Sequence, residues 1–500
     1  MQGITRAIIV LFILPWTANA LGDYSWSDRC IRAQEACLRL DYKESRRLIA
    51  EEKRSRPDNL IPLFIEAKAD FLQAFLMEED SLVELLKHRN TQRIELFKKG
   101  KPDDPYYRLC IAELYLYQAA ARLKSKEFFG VVYDTRKANT LLLENRKLHP
   151  GFKPNLLGSG FIHCVTGGIP KNYQWLAGLL GFEGTVNEGL SELRSLLGFS
   201  IENKSLRHLH DETLLCLTFI ELALLPKADH NIQLKRFASV ENLDRKPLVV
   251  YAKGAVLTAT GKNDSVISML ERIKTATEQQ SFKFLYLMEG NARLFKLDPS
   301  AENCYLRFLQ IKGGKTYRHS ILQRLAWTRL IQEDRAGYRR YLKQVSTLGS
   351  AGHLTDEDRS AIAEWESQQE PNILLLKARL LFDGGYYRDA FNVLAGQPAT
   401  AFPRFRDQLE FTYRLARIYD KQGKREPAIG LYESTLKNGA AHSFYFAANS
   451  ALHLGQLYES TNDRTKAKAY YKRVLELHNH EFQNSIDQKA KAGLNRLSYQ

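Results

Sequence analysis

Proline and glycine are sparse in this 500-residue chain, at 15 and 30 residues. That leaves little room for the many turns of an all-β sandwich or barrel. Only six cysteines occur, none in a Cys-x-x-Cys pair and none at His/Cys zinc spacing, so no zinc site or dense disulfide framework organises the fold. Cys30 and Cys37 are seven positions apart. On a helix their separation is about 10 Å, beyond disulfide reach. Buried, unpaired thiols are expected, with one long-range bridge left open. Past the N-terminal segment no run is long and apolar enough for a span of about 20 residues. Neither a Gly-x-Ser-x-Gly elbow nor a His-Glu-x-x-His motif nor a dinucleotide-binding glycine loop is present, and with them go the commonest signatures of hydrolases, metalloproteases and dehydrogenases.

What remains is 44% hydrophobic and 26% charged, the composition of a folded, mostly helical chain. Its length exceeds one compact core and fits about two to four domains or one extended array. Lys plus Arg outnumber Asp plus Glu by 72 to 57, a formal charge of +15.

Residues 1–20 read as a signal peptide: Arg6 supplies the positive n-region, ten apolar residues follow from Ala7 to Trp16, and Ala18-Asn19-Ala20 is a small-x-small cleavage site. The expected mature protein is exported, periplasmic or secreted, with a charge of +14 once Arg6 is removed.

The strongest signal is an internal repeat. Leu415-Ala416, Tyr419, Ala428 and Tyr432 recur thirty-nine residues later as Leu454-Gly455, Tyr458, Ala467 and Tyr471. They recur thirty-eight residues earlier as Ala378, Leu381, Ala390 and Leu394. Small residues let the two helices of a unit approach, and large ones fill the space beside them, which is the tetratricopeptide pattern. Lys421-Gln422-Gly423-Lys424 reads as a helix end, Asn462-Asp463 as a cap, and Pro427 as a first-turn residue. Weaker matches at Ala33/Ser45/Ile49, Ala255/Ile267/Glu271 and Ala326/Tyr338/Leu342 extend the phase upstream. The expectation is an all-α, tetratricopeptide-like helix-pair solenoid: degenerate repeats over 21–370, and clear repeats over 371–500 ending in a terminal capping helix at 481–497.

A glycine-rich insert at 150–190 interrupts the pattern, with nine glycines beside Phe161, Trp175 and Phe182. It reads either as a tight helix crossing or as an apolar contact with lipid through those three aromatics. The run from Gly160 to Pro170, then Trp175, Leu179-Leu180-Gly181-Phe182-Glu183-Gly184 and Gly189-Leu190, resembles a segment of a eukaryotic tetratricopeptide family. That family comprises the inclusion-body clearance proteins and their animal relatives. Glu289-Gly290-Asn291-Ala292-Arg293 through Tyr305-Leu306 is similar to its middle repeat. Ile169-Pro170 stands where the family has two prolines, and Thr185-Val186 where it has Asp-Arg. The resemblance implies an all-helical repeat fold. The family is cytosolic, so its role in clearing inclusions or lipid droplets is not carried to a chain that opens with an export signal.

Chemistry-bearing residues are few. Gly313-Gly314-Lys315-Thr316 ends like a phosphate loop, but Leu309 stands where its first glycine belongs. On a helix His208 and His210 point about 200° apart, so His208 to Glu212 reads as a solvated face. His163-Cys164 reads as a buried structural pair. No catalytic residue, metal site or cofactor is expected. The positive charge is dispersed among acidic residues, as on solvated helix faces. Export and the lack of a recognised module argue against a nucleic-acid partner, and none is expected; an anionic membrane surface is a candidate one. The expected function is capture of a protein or peptide on the concave face, through Glu410, Tyr413, Arg417, Asn449, Gln456 and Glu459; the alternatives are a peripheral envelope protein that contacts lipid through 150–190 and, behind it, a divergent enzyme.

Overall fold

The computed structural model describes residues 22–169, 181, 184–225, 229–274, 282–311, 313–314, 316–349 and 354–497. Residues 1–20, which the sequence reads as a signal peptide, lie outside these residues, as do Trp175 and Phe182. Twenty-four α-helices occur among the described residues, and none is long and apolar enough to cross a membrane.

Local sequence sets where the helices start and stop. Asn372 accepts from the backbone N–H groups of Leu374 and Leu375 to open Ile373–Asp383. Thr355 and Asp358 form a reciprocal capping box at the start of Asp356–Ser367. Asp463 caps Arg464–Glu476 through the Lys466 N–H. Gly423, at φ +75°, makes the left-handed turn between Phe405–Lys421 and Arg425–Gly439.

The C-terminal part is a stack of helix pairs: Ile373–Asp383 with Tyr387–Leu394, Phe405–Lys421 with Arg425–Gly439, and Tyr445–Ser460 with Arg464–Glu476. Gln483–Arg496 closes the end. The repeat residues are its core. Ala378, Ala390, Ala416, Ala428, Tyr432, Leu454, Ala467 and Tyr471 are all buried. Tyr471 is wedged between two helices, and Cβ atoms added at Gly455 and Gly493 would stand 2.6 and 2.4 Å from its ring. Asp420 receives the Tyr432 hydroxyl at 3.3 Å, and Glu459, thirty-nine positions on, receives that of Tyr471 at 2.6 Å. The first helices of successive units pack against one another in file, more closely than the second helices do. The stack therefore curves with its first helices inside.

Upstream the chain turns back on itself. Gln34 Nε2 donates to the His208 carbonyl at 2.8 Å, Lys68 pairs with Glu212, and Lys283 Nζ reaches Glu78 at 3.0 Å. These partners are 144 to 205 residues apart. The His208–Glu212 stretch is accordingly not a solvated face. His208 and His210 are buried, His208 against the Trp26 ring at 4.2 Å and His210 between Asp211 and Ser239. The two histidines do not share one α-helix: His208 lies in the 3-10 turn Lys204–Leu209 and His210 opens His210–Leu224.

The glycine-rich segment is a tight crossing where it is described. Asn155–Gly167 packs on Val186–Glu202, and a Cβ at Gly189 would stand 2.4 Å from the Gly160 carbonyl oxygen. Five of the six cysteines are buried, and no disulfide joins them among the described residues, so the long-range bridge does not form there.

Candidate functional site

The position after each small residue of the first helices is occupied by Trp327, Arg379, Arg417 and Gln456. One register thus yields a ladder of side chains running along the inside of the curve. Arg379 stacks on Trp327, its guanidinium carbon 4.3 Å from the ring centroid. Arg417 stacks on Phe382 at 4.7 Å and donates to the Tyr413 hydroxyl at 2.8 Å. The Asn449 amide donates to the same hydroxyl at 2.7 Å, tying the third rung to the next helix. Gln456 is bonded to His453 at 3.1 Å.

Charge alternates around this ladder. Arg414 donates to Glu410 at 3.1 and 2.9 Å and to the Tyr445 hydroxyl at 3.1 Å. Glu364 accepts from Trp327, Gln323 and Tyr338 at 3.0, 2.7 and 3.0 Å. Burial alone would raise the Glu410 carboxyl, but Arg414, Arg379 and Arg406 outweigh it and hold it below its usual range. Asp383 and Glu364 go the other way. Desolvation raises both, against the pull of Arg414, Arg379, Arg417 and Arg324 on Asp383 and of Arg379 on Glu364. Asp383 is nevertheless exposed. Burial first, then Arg417, pushes the His453 imidazole well below its ordinary value, so it stays neutral.

Two of the six residues assigned to partner capture are packing residues instead. Tyr413 is fully buried, and Glu410 is 7% exposed; both lie between helices because Tyr445–Ser460 covers that face of Phe405–Lys421. Glu459 is bound by Tyr471 and by Arg496 at 2.8 Å and acts as a clasp for the terminal helix. Arg417, Asn449 and Gln456 stand half-buried on the inner side. Sequence reasoning missed Arg324, Trp327, Arg379 and Asp383. Repeat arithmetic contained the signal for two of them, since Trp327 and Arg379 follow Ala326 and Ala378 as Arg417 follows Ala416.

Two other places gather polar groups. His163, Glu188 and Glu192 bring one ligand atom each within 4.8 Å of one another. Glu192, however, already accepts from His163 at 2.8 Å and from Arg146. Its hydrogen bond is the first cause of a raised His163 value. The trio is an ion-pair node, since the arginine on Glu192 opposes a second cation. A shallow pocket of about 490 Å³ is lined by Asp264, Glu271, Arg293, Lys296 and Asp298, among others. Arg293 there is saturated by Glu289, Glu271 and Asp298 at 2.8, 2.7 and 3.0 Å. Of the three aromatics assigned to lipid contact, Phe161 is described and is 39% exposed.

These helix pairs define an α-solenoid of the tetratricopeptide type. Family models described as "Tetratricopeptide repeat" match residues 412–442 and 448–479, which are the two pairs that follow Ile373–Leu394. The chain carries tetratricopeptide repeats, and its fold is all-α. No curated protein matches it. Similar solved structures include the human IFIT1 dimer with m7Gppp-AAAA (12% identity, 96% of this chain and 91% of that one, TM-score 0.30). Others are the apo quorum sensor NprR from B. thuringiensis (14%, 90% and 97%, 0.28) and the APC/C hetero-tetramer Cut9–Hcn1 (12%, 94% and 96%, 0.23). These likenesses are too distant to bear on the site.

Proposed function

We propose that this protein is an exported, non-catalytic scaffold that captures a protein or peptide partner on the inner face of its C-terminal repeats. The observation that carries the reading is the ladder Trp327, Arg379, Arg417 and Gln456. It places large planar and hydrogen-bonding side chains in file along one concave surface, at the density that anchors an extended chain. Export rests on the first twenty residues and is part of the same proposal.

Cross-linking and pull-down from the native envelope fraction tests it. Arg417→Ala and Asn449→Ala should each release a partner that wild type holds. Lys468→Ala, on the exposed side of a second helix, should keep it. Equal recovery from all three variants overturns the reading.

A second reading, contact of the 150–190 segment with an anionic lipid surface, is supported by Phe161 and Val165. They lie one helical turn apart and are 39% and 47% exposed. Flotation with anionic vesicles tests it. Protein that stays at the bottom of the gradient eliminates it.

A further inference from the structure

Single apolar side chains scattered over a protein surface need no explanation. Four exposed ones, Leu123, Phe128, Phe129 and Tyr133, gather where Pro105–Lys124 turns into Phe128–Leu148. Phe129 is 80% exposed, more than any other large apolar side chain among the described residues, and shares a helix face with Tyr133 four positions on. The turn itself is firmly built. The Arg122 side chain crosses Gly130, where a Cβ would stand 2.5 Å from its Cδ. Its guanidinium donates to Glu127 at 2.9 Å and to Asp134 at 2.8 Å. Lys87 takes the other Glu127 oxygen at 2.7 Å and holds Glu84 at 2.6 Å. The Glu127 backbone N–H closes the turn on the Arg122 carbonyl at 2.9 Å. The acids around the tip are therefore neutralised. Lys124, Lys126 and Lys137 have no carboxylate within ion-pair distance among the described residues. Lys124 and Lys137 lie along aromatic rings, each Nζ 5.7 Å from a centroid, of Phe75 and Tyr133 respectively. Lys126 is exposed in the left-handed turn at φ +60°.

We propose that this hairpin tip is an interfacial anchor for an anionic lipid surface, with Phe128 and Phe129 in the headgroup–acyl boundary and Lys124, Lys126 and Lys137 on the lipid phosphates. The anchor is separate from capture on the C-terminal repeats, and it uses different residues from the Phe161 and Val165 contact. Charge and shape choose the occupant. A bilayer interface accepts exposed aromatics fringed by lysines, because the rings enter the boundary layer while the long basic side chains reach back to the phosphates. Protein interfaces, by contrast, are depleted in lysine. The aromatics also stand on the first turn of Phe128–Leu148, at the end of a helix pair rather than along its side. A flat surface can reach them there. A second copy of this chain, meeting the tip about a two-fold axis, would set the same lysines against one another. So few inserted side chains give a weak, reversible hold, which suits a scaffold that docks at a membrane without crossing it.

The test is co-sedimentation of the full chain with vesicles of phosphatidylcholine alone and of phosphatidylcholine mixed with phosphatidylglycerol. Binding to the mixed vesicles is expected, weakening as salt rises, with about tenfold less on the neutral ones. Phe129→Ser should weaken it about tenfold, and Lys126→Gln and Lys137→Gln about fivefold each. Leu148→Ser is the control, an exposed apolar change at the far end of the same helix, roughly 28 Å away; it should bind as wild type does. All these side chains are exposed, so thermal melts of the variants should coincide with wild type. Equal binding to the two kinds of vesicle, binding to neither, or indifference to Phe129→Ser and to both lysine changes overturns the proposal. Loss of binding on Phe161→Ser with the tip variants unaffected also overturns it, and assigns lipid contact to the 150–190 segment instead. Sedimentation velocity without vesicles covers the other occupant: a dimer that Phe129→Ser dissolves would mean that the tip meets a second copy, and would overturn the anchor. Partner loss on Arg417→Ala and Asn449→Ala is read independently of every one of these outcomes.

Discussion

Gly455→Ala should destabilise the last repeat, against the general preference of helices for alanine. Gly455 lies inside Tyr445–Ser460, where alanine normally gains about 1 kcal/mol over glycine. Here the new methyl would stand 2.6 Å from both Cδ1 and Cε1 of Tyr471. The ring has no room to retreat, because its opposite edge is packed so closely on Gly493 that a Cβ there would stand 2.4 Å from it. Overpacking of this kind costs about 1 to 3 kcal/mol. With the ring held on both faces the upper part of that range applies, and the net effect is a loss of about 1 to 2 kcal/mol. Gly430→Ala is the control. It sits in Arg425–Gly439 with nothing within 4 Å of the added Cβ, and should gain about 0.5 to 1 kcal/mol. Each repeat contacts only its neighbours, so the loss should be local. Amide hydrogen exchange followed by mass spectrometry is the assay. Gly455→Ala should speed exchange about tenfold across 445–496, since 1.4 kcal/mol is tenfold, and leave Ile373–Asp383 untouched. Stabilisation by both substitutions would refute the close approach that defines the repeat.

Three other outcomes follow from the structure. Burial first, then the Glu212 carboxylate, pushes Glu113 up to about 7. The fold holds its proton where the unfolded chain, near 4.5, has lost it, so stability should fall by on the order of 3 kcal/mol as pH rises from about 4.5 to 7; thermal melts across that range should show the fall, and Glu113→Gln should flatten it. Lys68→Met leaves Glu212 unpaired and partly buried at the closure of the N-terminal half, so limited proteolysis should release fragments from 22–100 faster, with a stability loss of about 3 to 5 kcal/mol. No disulfide joins the cysteines among the described residues, so Ellman titration should count six thiols in denaturant and few in the native state, and reductant should not move the melting curve.

The fold was legible where the repeat is regular. Ala416, Ala428, Tyr432, Ala467 and Tyr471 announce their burial by size and spacing alone, because each contact they make is with a neighbouring helix. The closure of the N-terminal half was not legible. Gln34 with His208 and Lys68 with Glu212 meet across 174 and 144 residues, and no local pattern records so distant a return. The site falls between. Repeat register placed Arg417 and Gln456 on the inner side, but it could not show that Tyr413 is a buried hub for Arg417 and Asn449, since that depends on how the next first helix seats. Arg324 shows no signal in the sequence at all; what marks it is a buried guanidinium nitrogen without a hydrogen-bond partner, which depends on packing.

The central claim is that the inner face of the C-terminal repeats does the capturing, and site-specific photo-cross-linking tests it most directly. A photoreactive residue placed at Gln456, half-exposed on the inner face, or at Lys468, exposed on an outer helix, reports which surface touches the partner in the native envelope fraction. A discrete adduct from position 456, lost when Arg417→Ala is added, and none from 468 is the predicted result. An adduct from 468 with none from 456 would contradict it.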